Sequence, residues 1–343
     1  MRITNAHTLP LFLILSVLAG LACARGGSPT QDSPEPTIET TAQPGPDPTI
    51  RTIAQPSPDL EIQTIAHEGL ERTYRMIVPS GYNPAEPIPL VLSLHGGGAN
   101  SGQVCTLPGG VQELAEPEGF LVVCPDAVEE NWNDGRGNDQ YRSQAEDLDD
   151  VGFLLALLDR LAAEYHLDPE RIYIVGASNG GMMTLRMACE AGGTFAAAAV
   201  VIASIPAELE CSPQKPIPIL FINGTEDPLM PFEGGQVHFY RRELGEVLST
   251  AETVAFWVGA NGCDPTPQSE LLPDLDPEDG TRIKLDAYSG CADGVRVRLY
   301  TVEGGGHTWP GGSQYVPETI IGRVSHDLKA NEAIWEFFET SAS

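Results

Sequence analysis

The sequence predicts an α/β fold, a mainly parallel sheet covered by helices on both faces, and three observations lead there. Short apolar, β-branched runs alternate with amphipathic helical stretches along most of the chain. Several of those runs, 89–94, 197–202 and 217–222, are apolar almost throughout, as strands buried on both faces must be. Another, Ile172, Tyr173, Ile174 and Val175, leads straight into Gly176-Ala177-Ser178-Asn179-Gly180 and then into a helix-forming stretch, a strand, sharp turn and helix in succession.

Taken in order, the chain begins with an apolar segment at 9–24 behind Arg2, too short to span a bilayer and built like a secretory signal over 1–24. Ala22-Cys23-Ala24 suits ordinary signal cleavage. Gly20-Leu21-Ala22-Cys23 resembles a loose lipobox that would leave Cys23 lipidated, the reading preferred here because a long tether follows. The expected location is therefore extracellular or anchored to the cell envelope, with a membrane as partner only through that lipid. Residues 25–59 are rich in Pro, Thr, Ser and Gln, hold almost no large apolar side chain, and read as an extended linker. Within it 36–47 is echoed by 48–59, a duplicated spacer without an apolar face to stack.

A folded domain, identified below as catalytic from its motifs, is expected over 60–343. Residues 62–66 and 74–78 read as its first strands, 89–94 as a buried strand leading into His95-Gly96-Gly97-Gly98, and 119–124 as the next strand after a short helix at 111–115. Asp149 and Asp150 then open a helix at 151–161, their charges complementing its dipole. After the strand at 172–175 and its helix come the runs at 197–202 and 217–222. Ser249-Thr250-Ala251-Glu252 is a capping box opening a helix to about 258. The alternating stretches 281–288 and 295–302 around Asp293-Gly294 read as a hairpin, and 331–338 as a closing amphipathic helix.

A formal charge of −29 argues against a nucleic-acid partner, because phosphate binding needs the opposite sign. With Cys23 set aside six cysteines remain, an even number that suggests disulfides in an exported chain. Nearest-neighbour pairing gives Cys105 with Cys124, Cys189 with Cys211, and Cys263 with Cys291. There is no His-Glu-x-x-His, and 274–280 fails as a calcium loop because a proline interrupts it and its glycine falls one place late. No metal and no cofactor are expected, and nothing indicates an oligomeric state.

A serine becomes a nucleophile near neutral pH only beside a base, and the base needs an acid to fix its tautomer. In a Gly-x-Ser-x-Gly elbow a strained backbone pushes the serine Oγ clear of the sheet, and the helix that follows aims its positive end at the site. Ser178 is the expected nucleophile. Asp227 lies in Asn223-Gly224-Thr225-Glu226-Asp227-Pro228, the loop directly after an apolar strand, and is the expected acid. His307 lies in Gly304-Gly305-Gly306-His307-Thr308-Trp309, just past the last hairpin strand, where flexible backbone lets it fold back over the sheet edge. His238 is too close in sequence to Asp227 to compete, and His326 precedes the terminal helix. The backbone N–H groups of Gly97 and Asn179 are the candidate oxyanion hole. Each of these motifs also has a purely structural reading, as a glycine-rich turn or a turn aspartate.

Together, Leu94-His95-Gly96-Gly97-Gly98, Gly176-Ala177-Ser178-Asn179-Gly180-Gly181-Met182-Met183, Asn223-Gly224-Thr225-Glu226-Asp227-Pro228 and Glu303-Gly304-Gly305-Gly306-His307-Thr308-Trp309-Pro310-Gly311-Gly312 resemble the polyhydroxybutyrate depolymerase-like esterases, which also include bacterial feruloyl and acetylxylan esterases. Trp132-Asn133-Asp134 and Asp149-Asp150-Val151-Gly152-Phe153 look like further blocks of that family. The resemblance covers roughly Leu60 onward. It implies an α/β-hydrolase fold, Ser178 as nucleophile, His307 as base, Asp227 as orienting acid, and a carboxylic ester as substrate. The expectation is a serine esterase working through an acyl-enzyme on short hydroxyalkanoate esters. Feruloyl or acetylxylan ester hydrolysis is the alternative, ahead of a serine peptidase or a non-catalytic binding lipoprotein. No substrate-binding module follows the terminal helix, so soluble esters are expected to be better substrates than crystalline polyester. Trp309, two residues after the base, and Trp132 are the candidates for a substrate-pocket wall.

Overall fold

The computed structural model describes residues 60–239 and 241–341. The signal segment, the linker, its duplicated spacer and Cys23 lie outside them. β1 (Gln63–His67) and β2 (Leu70–Ile77) form a hairpin closed by Glu68 and Gly69, both at positive φ. They are followed by β3 (Ile88–Leu94), β4 (Leu121–Pro125), β5 (Leu167–Ala177), β6 (Ala197–Val201) and β7 (Ile219–Gly224). β8 (Gly235–Phe239) and β9 (Arg242–Val247) form a separate two-stranded sheet. β10 (Gln268–Leu271), β11 (Arg282–Tyr288) and β12 (Val297–Glu303) complete the set.

The main sheet has ten strands in the order β1-β2-β4-β3-β5-β6-β7-β12-β11-β10. From β4 to β12 every neighbouring pair is parallel, and the strands added at either edge are antiparallel. The parallel strands are the ones buried on both faces: β3, β4, β6 and β7 show no exposed or half-exposed residue. Each parallel step needs a long crossover, so the C-terminal ends of all these strands open onto one edge, and their loops meet there.

Alternation within each strand divides the core in two. Leu90, Leu92, Ile174, Ala198, Val200 and Phe221 cluster with residues of α1 (Asp150–Glu164), α2 (Asn179–Ala191) and α3 (Thr250–Ala260). Val91, Tyr173, Val175, Ala199, Leu220 and Ile222 cluster instead with α4 (Ala330–Glu339). Tyr173 stacks on Phe338 at 4.6 Å between centroids, and Trp335 on Phe120 at 4.1 Å. Ile334, Trp335, Phe337 and Phe338 are all buried; at roughly 1.5–3 kcal/mol for an aliphatic or phenyl side chain, that face outweighs propensity in holding a ten-residue helix. Asp149 caps α1 by accepting from Gly152 N, and Ser249 with Glu252 forms the expected capping box on α3.

Sequence reasoning missed β8 and β9, the edge strand β10, and the short helix at Ser101–Val104 capped by Asn100. The four residues of β10 are all exposed and carry no apolar alternation to betray a strand. β5 also starts earlier than expected, at Leu167. Three disulfides join Cys105 to Cys124, Cys189 to Cys211 and Cys263 to Cys291, the nearest-neighbour pairs. Such crosslinks suit a chain that folds in an oxidising compartment. No helix among the described residues is long and apolar enough to cross a membrane.

Candidate active site

Ser178 stands between β5 and α2 with φ 55° and ψ −122°, a backbone conformation costly for any residue with a Cβ. Its N–H donates to the Val201 carbonyl at the end of β6, and its carbonyl accepts the first helical hydrogen bond, from Met182 N. The flanking glycines are demanded by contact: a Cβ on Gly176 would lie 2.2 Å from the Gly180 carbonyl oxygen, and one on Gly180 would lie 2.4 Å from that of His95. The strand and helix therefore approach as closely as bare backbone allows, which is what aims Ser178 out of the sheet edge.

Asp227 follows β7 and His307 follows β12, the adjacent parallel strand, so both loops emerge at the edge that carries Ser178. His307 Nδ1 lies 2.7 Å from Asp227 Oδ2, with the two side chains 7% and 2% exposed. Asp227 Oδ1 is occupied by Leu229 N and Met230 N, both at 2.8 Å, which leaves Oδ2 for the imidazole. A carboxylate only accepts, so Nδ1 carries the proton and Nε2 is left as the basic nitrogen. The histidine loop is tied from behind: Gly306 N and Thr308 Oγ1 donate to Arg323 O, His307 N donates to Ile321 O, and Tyr315 Oη donates to His307 O. His238 lies exposed on β8, and His326 is exposed with its backbone N–H on Asp279; neither is bonded to Asp227.

Gly97 sits beside the elbow, where a Cβ on it would stand 3.6 Å from Asn179 Cβ. Asn179 is 2% exposed and its side chain is clasped by two neighbours: Oδ1 accepts from Trp132 N at 2.8 Å and Nδ2 donates to Trp132 O and to Asp134 Oδ2. Asp134 is fully buried and paired with Arg136 at 2.8 Å. A second buried pair, Arg72 with Asp150 at 2.7 Å, holds Asn133 N through the other Asp150 oxygen. Sequence reasoning took Asp150 only for a helix-dipole charge and missed this network, although the Trp132-Asn133-Asp134 block and the paired aspartates marked its members.

Trp132 is accordingly no pocket wall. It is fully buried, its Nε1 donates to His95 O at 3.0 Å, and its ring tilts against that of His95 at 5.1 Å. Trp309 is partly exposed and donates from Nε1 to Gly109 O at 2.8 Å, which ties the histidine loop to the segment after Cys105. A groove of about 640 Å³ between α3 and strands β11 and β12, floored by Lys284, Asp286, Tyr288 and Leu299, contains none of Ser178, Asp227 and His307. Ser178, Asp227 and His307 lie instead at the C-terminal edge of the parallel strands.

A sharp serine turn at the ends of parallel strands, at the same sheet edge as loops that deliver a histidine on an aspartate, is the architecture of the α/β-hydrolases. A model of the prolyl oligopeptidase family matches residues 117–205, the stretch from β4 through the elbow to β6. The protein called "Putative esterase NocK" in Nocardia uniformis subsp. tsuyamanensis is 32% identical over 336 residues, covering 95% of this chain and 96% of that one. Feruloyl esterase B of Piromyces equi is 27% identical over 67% of this chain, which spans 41% of that protein's length. The solved acetyl xylan esterase from Aspergillus awamori superposes with a TM-score of 0.50 over 81% of this chain and 99% of that one, at 14% identity, a likeness of fold. The protein is a carboxylic ester hydrolase of α/β-hydrolase fold. It belongs to the esterase family of NocK, whose whole length it matches almost end to end.

Proposed function

We propose that the chain is an exported serine esterase in which Ser178 is the nucleophile, His307 the general base and Asp227 its orienting acid. The observation that carries this is the 2.7 Å bond from His307 Nδ1 to Asp227 Oδ2, at the sheet edge where Ser178 holds its strained elbow. In the first half-reaction His307 Nε2 takes the proton from Ser178 Oγ, which bonds to the ester carbonyl carbon. The carbonyl π electrons move to oxygen, where the N–H groups of Gly97 and Asn179 would stabilise the charge. The tetrahedral intermediate collapses, the alcohol leaves with the proton from His307, and the acyl group stays on Ser178. Water then repeats the sequence with His307 as base, releasing the acid and restoring the serine.

For the acyl group we infer feruloyl or acetyl esters of carbohydrate, supported by the relative named feruloyl esterase B. Short hydroxyalkanoate esters are the second reading, supported by the four motif blocks that resemble the depolymerase-like esterases. Export, with or without lipid on Cys23, is supported by the three disulfides. The test is a panel of p-nitrophenyl acyl esters, methyl ferulate, acetylated xylan, hydroxybutyrate oligomers and a matched p-nitroanilide. Ester turnover well above anilide turnover is expected. Amides cleaved as fast as esters would make the chain a peptidase instead, and the rank order among the esters chooses between the two acyl readings.

A further inference from the structure

Tyr315 stands eight residues past His307, on a loop for which the reaction just described has no use. Its two ends lie in opposite surroundings. The hydroxyl donates to the His307 carbonyl at 3.2 Å, and burial, with the charge of Asp227 adding to it, raises the phenol above its ordinary pKa. The hydroxyl therefore stays protonated at neutral pH, within range of the carboxylate that holds the His307 ring. Yet the residue as a whole is 57% exposed. With its hydroxyl pinned inward, what water reaches is mainly the ring.

The loop beneath that ring is tied down on both sides of it. Gly311 N donates to Ser325 O at 2.8 Å and Gly312 N to Trp309 O at 3.0 Å. Gln314 Nε2 donates to Val316 O at 2.7 Å and to Gly322 O at 3.0 Å, and its Oε1 accepts from Val324 N at 3.1 Å. A tyrosine has two side-chain torsions, and here the hydroxyl bond constrains both, so little conformational freedom is left to lose when a ligand covers the ring.

The chemistry says which half of an ester would meet it. The leaving alcohol takes its proton from His307 Nε2, so the alcohol oxygen has to come within hydrogen-bond reach of that nitrogen. Whatever that oxygen is attached to then lies on the histidine side of the carbonyl carbon, and the acyl group extends from the carbon's other bond. A ring anchored to His307 itself therefore borders the alcohol half. The face of an aromatic ring is electron-rich and attracts the weakly positive C–H groups of a sugar ring, whereas a methyl alcohol offers it almost no surface.

We propose that Tyr315 is a specificity-determining residue for the alcohol half of the substrate: its ring is the platform on which the sugar bearing the ester stacks. The proposal rests on the carbohydrate-ester reading and on Ser178, His307 and Asp227 as the triad.

Matched esters that share an acyl group and differ in the alcohol test it: methyl ferulate against a feruloylated pentose, and methyl acetate against an acetylated xylo-oligosaccharide. The full chain is assayed for kcat and KM on both pairs as wild type, Tyr315→Ala and Tyr315→Phe, and wild-type Ser178 is tested for labelling by a fluorophosphonate. In the pair the wild type prefers, Tyr315→Ala should lower kcat/KM for the sugar ester by about 5- to 20-fold, carried mostly by KM, and leave the methyl ester within about twofold. Tyr315→Phe keeps the ring and should stay within about threefold of wild type on the sugar ester. Equal losses on the two esters would mean that Tyr315 only steadies the histidine loop, and overturn the proposal, as would no loss on either or a Phe variant as poor as the Ala variant. A wild type that prefers the methyl ester in both pairs also overturns it and leaves the triad standing. Labelled Ser178 without turnover of either sugar ester overturns the carbohydrate reading and this proposal together, and absence of labelling removes the nucleophile as well. Should Tyr315→Ala fail to fold, Tyr315→Gln, which keeps a polar tip and removes the ring, takes its place under the same expectations.

Discussion

Gly224 and Gly305 meet backbone to backbone: a Cβ on Gly224 would stand 2.3 Å from the Gly305 carbonyl oxygen. That contact brings the loop after β7 onto the loop after β12. Glu226 N donates to the same Gly305 oxygen at 2.9 Å and Thr225 N to Val302 O at 3.0 Å, and Asp227 and His307 come together one and two residues further along their loops.

Asp227→Asn should therefore leave the loops in place and spoil the tautomer. The amide can present a donor to Nδ1, which favours the proton on Nε2 and leaves no base for the serine. The expected loss is about 10⁴-fold in kcat, with KM changed little, as orienting acids of this kind show. Steady-state kinetics on p-nitrophenyl acetate check it; a loss under about tenfold would remove Asp227 from the proposed triad.

Ser178→Ala is expected to cost about 10⁶-fold in kcat, because members of such a unit fail together. The fold should survive, since the side chain makes no helix-capping hydrogen bond at the start of α2. Circular dichroism and fluorophosphonate labelling report the two outcomes separately, and labelling that persists in the alanine variant would move the nucleophile elsewhere.

Arg72 and Asp150 are 3% and 0% exposed, and Arg72 also lies 3.8 Å from the centroid of the Phe153 ring. Arg72→Ala leaves Asp150 charged and buried without its partner, and a loss of about 3–5 kcal/mol in urea unfolding is expected. The double change Arg72→Met, Asp150→Leu should lose less than the single, because no orphan charge remains in the core.

The buried neutral state of His95 carries a pH signature in stability. Its folded proton affinity is depressed, so the unfolded chain binds more protons, and stability that is full above the unfolded value near 6.5 is lost as pH falls toward the folded value. Melting temperature should fall more steeply below about pH 6.5 in the wild type than in His95→Asn, which has no proton to gain. Parallel curves would show that His95 contributes nothing to the acid limb.

Cys263 and Cys291 are 28 positions apart and bracket β10 and β11. Replacing both by serine should lower unfolding free energy by roughly 3 to 4 kcal/mol in the chain-entropy description. Calorimetry with and without the bridge measures it, and activity toward small esters should persist, because the bridge contains no residue of the proposed triad.

What could be read from the sequence were the features whose local and global demands agree. An apolar strand, Gly-x-Ser-x-Gly and an apolar-faced helix all point to one turn, and the capping box at Ser249 marks a helix by its own chemistry. The central strands were plain because burial on both faces leaves them almost wholly apolar, with Ser93 and Asn223 as polar exceptions. β10 was hidden for the opposite reason: Gln268, Ser269, Glu270 and Leu271 all face solvent, and only pairing with β11 makes them a strand. At the site, sequence order indicated which residues follow which strand, but not which way a side chain turns. Trp132 thus looked like a pocket wall and proved to be a buried brace, and Asn179, considered only for its backbone, proved to be anchored by its side chain. The Arg72 pair joins residues 78 apart, a relation no local pattern records.

The strand order also bears on when the protein becomes active during its own synthesis. β12 enters the sheet beside β7, yet it is the last strand made, and the histidine that reaches Asp227 comes after it. Ser178 and Asp227 leave the ribosome well before that residue exists. On the proposed mechanism every nascent chain short of β12 is hydrolytically silent, and so is one crossing a membrane unfolded, because the base has not yet been inserted beside its acid. Hydrolysis begins only once the whole sheet is assembled.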